Sequence, residues 1–316
     1  MLALIVLAQT LVLAVSGPAT SPEYFPIRVA EAEGYFADEG LAVSVRTTRA
    51  ESGAAEALAQ GQADLAATTL EAVLRFGLRA TSHAPRLIFG LTAAPPVALL
   101  VAARHVDTVR SIEDLSALRV GVTTPGAPEH AWFGWLLARA GLSVAQVSVT
   151  SLGTRGLAAA VDAGDVHVGL VPEPAATQLL GRSRAKLLAD FRTPRAAADT
   201  LGSGTVNAAV FARAERRPSD RELAGLARAL RKAEQRIRTA EARELGSKLA
   251  TRVVGESDDF EARVATARTL FLSDGAVSVD QVQQSIAIIR AHTPLPQAVK
   301  IPRPEELLQI KIPTAR

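Results

Sequence analysis

LRVGVTTPGAPEHAWFGWLL, running from Leu118 to Leu137, contains a short apolar run, a small-residue loop at Thr123–Pro128 and then a helix-like segment. A strand that stops at Gly, Thr and Pro and re-enters as a helix leaves several backbone N–H groups unpaired at the turn. Such a loop either caps its own helix or holds an anion or polar ligand group, and geometry alone leaves both readings open.

The same order occurs earlier in the chain. Thr10–Ser16 (TLVLAVS) reads as a buried parallel strand, ended by Gly17-Pro18. A helix is expected around Pro26–Asp38, closed by Gly40, and Leu41–Thr47 alternates with the period of a strand. Glu51–Gln60 is expected to be a helix ending at Gly61, and Ala63–Thr68 a third buried strand. Alternation of this kind implies a parallel sheet with helices on both faces. The motifs then recur. VSGPA at Val15–Ala19 answers VTTPGA at Val122–Ala127, Gly40-Leu41 answers Gly141-Leu142, and ALAQGQADLAAT at Ala57–Thr68 answers AVDAGDVHVGLV at Ala160–Val171. A spacing of about a hundred residues is too long for a solenoid repeat and points to a duplicated lobe.

Composition agrees with two lobes. The chain has 316 residues, 48% of them hydrophobic, enough to bury a large core. Its net charge of +3 is spread along the sequence, with Lys and Arg gathered only near Arg228–Arg243, so no dense basic face for nucleic acid is expected. The chain has no cysteine, which excludes disulfides, thiolate metal sites and a cysteine nucleophile. His83, His105, His130, His167 and His292 lack ligand spacing, so no metal site is expected.

The N-terminus, MLALIVLAQTLVLAVSG, reads either as the core of a secretory signal, without a basic residue after Met1, or as part of the first strand; the expected split is a signal remnant at about Met1–Ala8 and the first strand at about Thr10–Ser16. Leu87–Ala103 reads as two strands joined at Thr92–Pro96, where the chain crosses between lobes. The return crossing is expected at Asp190–Asn207, before an apolar strand at Val206–Phe211. The resulting layout is a signal remnant at 1–9, a discontinuous first lobe of 10–94 and 204–316, and a second lobe of 95–203. Capping boxes at Ser219/Glu222 and Ser278/Gln281 open two helices, the second running through Arg290. The tail from Pro302 is expected to dock as a strap.

Ligands of open α/β sheets sit in the crevice at the carboxyl ends of the strands, which favours the ligand reading of the Thr123–Ala127 loop. Ser16–Ser21 holds the equivalent place in the first lobe, and Thr68-Thr69 ends another strand there. Glu173, between Pro172 and Pro174, is either a solvated turn carboxylate or a strand-end group at the cleft. Arg28, Arg75 and Arg155 could each counter an anion, though such residues are more often surface charges. Trp132 and Trp135 share a helical face and are expected in the core. No nucleophile elbow, paired-carboxylate motif or Walker loop marks an enzyme.

AEAEGYFADEGLAVSV, ALAQGQADLAATT, LRVGVTTPGA and AGDVHVGLVPEPAATQLL together resemble the substrate-binding proteins of ABC importers, in the nitrate/sulfonate/taurine and pyrimidine-precursor branch. The resemblance covers about Val12 to Phe211. It implies an α/β, two-lobed periplasmic-binding fold of the second type, each lobe a mainly parallel sheet flanked by helices, with a helical C-terminal extension. It further implies a monomeric extracytoplasmic protein that captures a small polar or anionic metabolite and delivers it to an ABC permease and its ATPase, without cofactor or metal. Carried over by motif, the ligand residues are Ser16, Thr20, Ser21, Thr68, Thr69, Thr123, Thr124, Gly126, Ala127 and Glu173. The family commonly has an acidic residue where His167 stands and Ser where Ala127 stands. The competing class is an enzyme on the same scaffold, a lyase, a dehydratase or a pyrimidine-precursor synthase. The last of these relies on a cysteine-rich segment that this chain lacks.

Overall fold

The computed structural model describes residues 10–48, 50–78, 85–124, 127–213, 215, 217–297 and 300–308. The expected signal remnant, 1–9, lies outside them. Among the described residues, ten strands build two five-stranded sheets. In the first, β1 (Leu11–Val15), β2 (Val43–Thr47), β3 (Leu65–Thr69), β4 (Arg86–Gly90) and β10 (Ala208–Ala212) lie in the order β2-β1-β3-β10-β4. In the second, β5 (Val97–Ala102), β6 (Arg119–Val122), β7 (Ser148–Ser151), β8 (Val168–Pro172) and β9 (Ala185–Asp190) lie in the order β7-β6-β8-β5-β9.

The two orders match strand for strand. β1 stands for β6, β2 for β7, β3 for β8, β10 for β5 and β4 for β9. The parallel pairing read from the βαβ order holds for β1–β3, where Leu13 faces Leu65, and for β6–β8, where Val120 faces Val168. Each sheet also carries one reversed strand. β10 runs antiparallel to β3 and β4, and β5 antiparallel to β8 and β9. The cause is the route of the chain. β4 and β9 each run toward the cleft edge, the chain crosses there, and β5 and β10 must then run back away from it. The central strands are buried along nearly their whole length, whereas all four residues of edge strand β7 are exposed, which explains its Ser and Thr content.

The helix expected at Pro26–Asp38 is two helices, Phe25–Ala32 and Tyr35–Asp38. Gly34, with φ of 77°, adopts the left-handed conformation between them and breaks the run. Both capping boxes form. Glu222 N–H donates to Ser219 Oγ at 3.3 Å and opens the helix Asp220–Thr239; Gln281 N–H donates to Ser278 Oγ at 3.2 Å and opens Val279–His292. In the tail, a short helix at Pro304–Leu307 buries Leu307.

The C-terminal helix Val279–His292 ties the halves together. It packs on the helix Glu129–Arg139 of the second half and on the segment after β3 of the first. One apolar cluster therefore contains Leu99, Val120 and Trp132 together with Ala66, Leu87, Ile286 and Ile289. Trp132 is core, as expected; Trp135 is half-buried, edge-on to the His292 ring with centroids 6.3 Å apart.

Candidate functional site

The carboxyl ends of β1, β3, β6 and β8 all open on the space between the sheets, and so do the starts of the reversed strands, because Val97 pairs with Pro172 and Ala208 with Thr69. That space is a cleft of two adjoining chambers. The inner one, about 240 Å³, is bounded by Thr69 and Glu23 on one side and by Thr123, Glu129 and Pro172 on the other. The outer one, about 720 Å³, lies between Thr20 and Arg263 of the first half and Arg155 and Gln178 of the second. Ser21, Thr154 and Glu173 line both.

The residues singled out in the sequence occupy three kinds of place. Thr20, Ser21, Thr69, Thr123 and Glu173 line the cleft. Ser16 and Thr68 are fully buried and lie off its walls; Ser16 Oγ donates to Thr68 Oγ1 at 2.8 Å, tying β1 to β3 below. Thr124 is exposed and Ala127 half-buried, and neither lines a chamber; Gly126 lies outside the described residues.

Three of the lining hydroxyls have a local reason for their position. Thr69 Oγ1 accepts from Ala72 N–H at 3.1 Å and caps the turn after β3. Thr123 Oγ1 donates to Glu129 Oε1 at 2.6 Å, joining the end of β6 to the first turn of its helix. Ser21 Oγ donates to Glu23 Oε2 at 3.2 Å. Glu173 is not the solvated turn carboxylate of one sequence reading. It is 9% exposed, and it accepts from Thr177 N–H at 3.1 Å, Thr177 Oγ1 at 2.7 Å and Arg192 Nη1 at 3.2 Å.

Charge in the inner chamber is one-sided. Glu23, Glu129 and Glu173 line it, and among the described residues no Lys, Arg or His does. The cations behind it are engaged. Arg192 bonds Asp190 through Nε and Nη2 at 2.8 and 2.9 Å, and these bonds raise its pKa. Arg75 Nη1 pairs with Glu71 at 2.8 Å. Burial pushes the Glu71 carboxyl up; Arg75 opposes this, and the charge of Glu129 adds to it. In the outer chamber, Arg263 donates to the carbonyls of Thr20, Val253 and Val254, and burial lowers its pKa. Arg28 lies off the cleft. It is buried, Nη2 donates to Thr47 Oγ1 at 2.6 Å, and Nε and Nη1 have no hydrogen-bond partner among the described residues. His167, at the position that departs from the family pattern, accepts from Arg119 N–H and stacks on His105 far from these walls.

The sequence reading missed Glu23, Glu129 and Arg263. Glu129 carried a signal, six residues past Thr123, but an acidic residue in a first helical turn is ordinarily explained by the helix dipole. Arg263 had none, since only tertiary packing brings its helix beside Thr20.

A profile of the family described as NMT1/THI5 like matches residues 21–193. Comparison with curated protein sequences found no match. Among solved structures, a protein of Bordetella bronchiseptica RB50 is 24% identical over 90% of both chains, with a TM-score of 0.68. The periplasmic aliphatic sulphonate binding protein SsuA of Escherichia coli is 16% identical over 89% of this chain and 87% of its own, TM-score 0.68. The periplasmic nitrate-binding protein NrtA of Synechocystis PCC 6803 is 14% identical over 82% and 69%, TM-score 0.53. These likenesses establish the two-lobed type II periplasmic-binding-protein fold.

Proposed function

We propose, since this chain belongs to the NMT1/THI5 like family, that it is an extracytoplasmic solute-binding protein, one that holds a small polar solute between its lobes and passes it unchanged to the permease of an ABC importer. The observation that carries this reading is the cleft. Both lobes, taken as 10–94 with 204–316 and as 95–203, contribute strand-end hydroxyls and carboxylates to the same chamber. A solute touching both walls favours the closed arrangement through its differential affinity for the two states. Thr20, Ser21, Thr69, Thr123 and Glu173 are the contact residues; Ser16 and Thr68 hold two of the strand ends in place. Thr124 and Ala127 belong to the loop that carries Thr123. Among the described residues no helix is long and apolar enough to cross a membrane.

A thermal-shift screen of nitrate, sulfonates, pyrimidines, amines and small carboxylates tests the reading. A solute at a hundred times its dissociation constant adds about 2.7 kcal/mol of stability. The bound solute, recovered and analysed by mass spectrometry, is expected intact. Recovery of a converted product would replace transport by catalysis.

A further inference from the structure

The inner chamber is built to receive hydrogen-bond donors. Five of its lining residues are prolines (Pro22, Pro95, Pro96, Pro128 and Pro172), which have no backbone N–H to offer an anion. The hydroxyl protons of Thr123 and Ser21 are already given to Glu129 and Glu23, so these side chains present lone pairs toward the chamber. Glu129 is 7% exposed, and among the described residues its carboxylate forms no ion pair and has the Thr123 hydroxyl as its one hydrogen-bond partner. A nearly buried carboxylate without a counter-charge is costly and is relieved by a cation.

From this arrangement, and resting on the solute-binding reading above, we propose that the inner chamber recognises a protonated amine or amidinium group, with Glu129 as its counter-charge and Thr123 and Ser21 as acceptors, and that it rejects lone anions such as nitrate or an alkanesulfonate. The electrostatics decide the sign. A unit charge about 4 Å from a carboxylate is attracted or repelled about four times more strongly at an effective dielectric of about 20 than in bulk water, which sets cation against anion more decisively than a hydroxyl contact does. The ligand nitrogen must carry hydrogens. Among the described residues no aromatic side chain lines either chamber, so there is no cage for a quaternary ammonium.

The test is calorimetric titration of the full chain in phosphate buffer with ethanolamine, putrescine and agmatine, and separately with nitrate, ethanesulfonate and isethionate. Binding of at least one amine is expected, with no heat from the three anions. Glu129→Gln should weaken that amine at least tenfold while thermal melting shows the variant folded; should Glu129→Gln not fold, Glu129→Asp, which shortens the carboxylate's reach, is expected to weaken it likewise. Amine affinity unchanged in a folded variant overturns the assignment of Glu129. Binding of an anion in place of the amines overturns the inference and leaves the solute-binding reading standing. Binding of neither set overturns the inference, and with no hit in the broader thermal-shift screen it overturns the solute-binding reading too.

Discussion

Glu234 lies in the C-terminal half of the helix Asp220–Thr239, fully buried, with neither carboxyl oxygen hydrogen-bonded among the described residues. Burial pushes its pKa up from 4.5 to about 8; Arg238, 4.0 Å away at its nearest, lowers it, and Asp274 raises it further. The group is therefore a neutral acid in the folded protein at neutral pH, while in the unfolded chain it ionises near its ordinary value. Between about pH 4.5 and pH 8 the unfolded state binds fewer protons than the folded one, so stability falls as pH rises through this window and levels off above it. With about 1.4 kcal/mol for each pH unit of the gap, the loss approaches about 5 kcal/mol. That figure is a ceiling, because water reaching the carboxylate beside the half-exposed Arg238 reduces it. Glu234→Gln keeps the shape and removes the titration. Urea unfolding followed by circular dichroism, for both proteins at pH 5, 6, 7, 8 and 9 and constant ionic strength, isolates the effect, since every other group titrates alike in the pair. The variant should match the wild type near pH 5 and exceed it by several kcal/mol at pH 8 to 9. A difference that stays constant with pH to within about 0.5 kcal/mol, the ordinary scatter of a neutral substitution, would refute the reasoning.

Four further single substitutions probe the packing around the cleft and between the lobes. Thr123→Val removes the one hydrogen bond that the Glu129 carboxylate makes among the described residues and should cost about 1–3 kcal/mol in chemical denaturation, whereas Thr124→Val, at an exposed position, should stay within about 0.5 kcal/mol. Gly134→Ala places a Cβ 2.7 Å from His292 Nδ1 and 3.2 Å from its Cβ, forcing apart the helices that tie the two halves; a loss of about 1–3 kcal/mol is expected, with His292→Ala in the same chain restoring most of it. Ser285→Ala deprives the buried Val206 N–H of its acceptor at 2.8 Å. It should destabilise by about 1–3 kcal/mol and speed hydrogen exchange at that amide.

The local structure was open to reading because its signals are local. Apolar runs ended by Gly-Pro or Thr-Thr located β1 and β3, and the capping boxes at Ser219 and Ser278 located their helices within a residue or two. The repeated motifs announced two lobes of one design, and the matching strand orders agree. Errors arose where a single residue decided the outcome. Gly34 split a helix that apolar periodicity ran together, because a left-handed backbone costs glycine nothing and hydrophobic spacing does not register it.

The sequence by itself determined most strands of both sheets, the two helices opened by capping boxes, the duplication and which loops stand at strand ends, since each depends on neighbours within a few residues or on one motif answering another; the edge strands β7 and β9 were not among them. Only the tertiary structure decided which of those loops face the cleft and what charge they meet there. Thr123 and Thr124 are adjacent in sequence, yet one lines the chamber with its proton given to Glu129 and the other faces solvent. Direction of burial and the sharing of a single hydroxyl proton are set by how β6 and its helix meet the opposite lobe. The same holds for the carboxylates. Glu23, Glu129 and Glu173 come from widely separated positions, and the chamber's electrostatic character exists only where folding brings them to one surface.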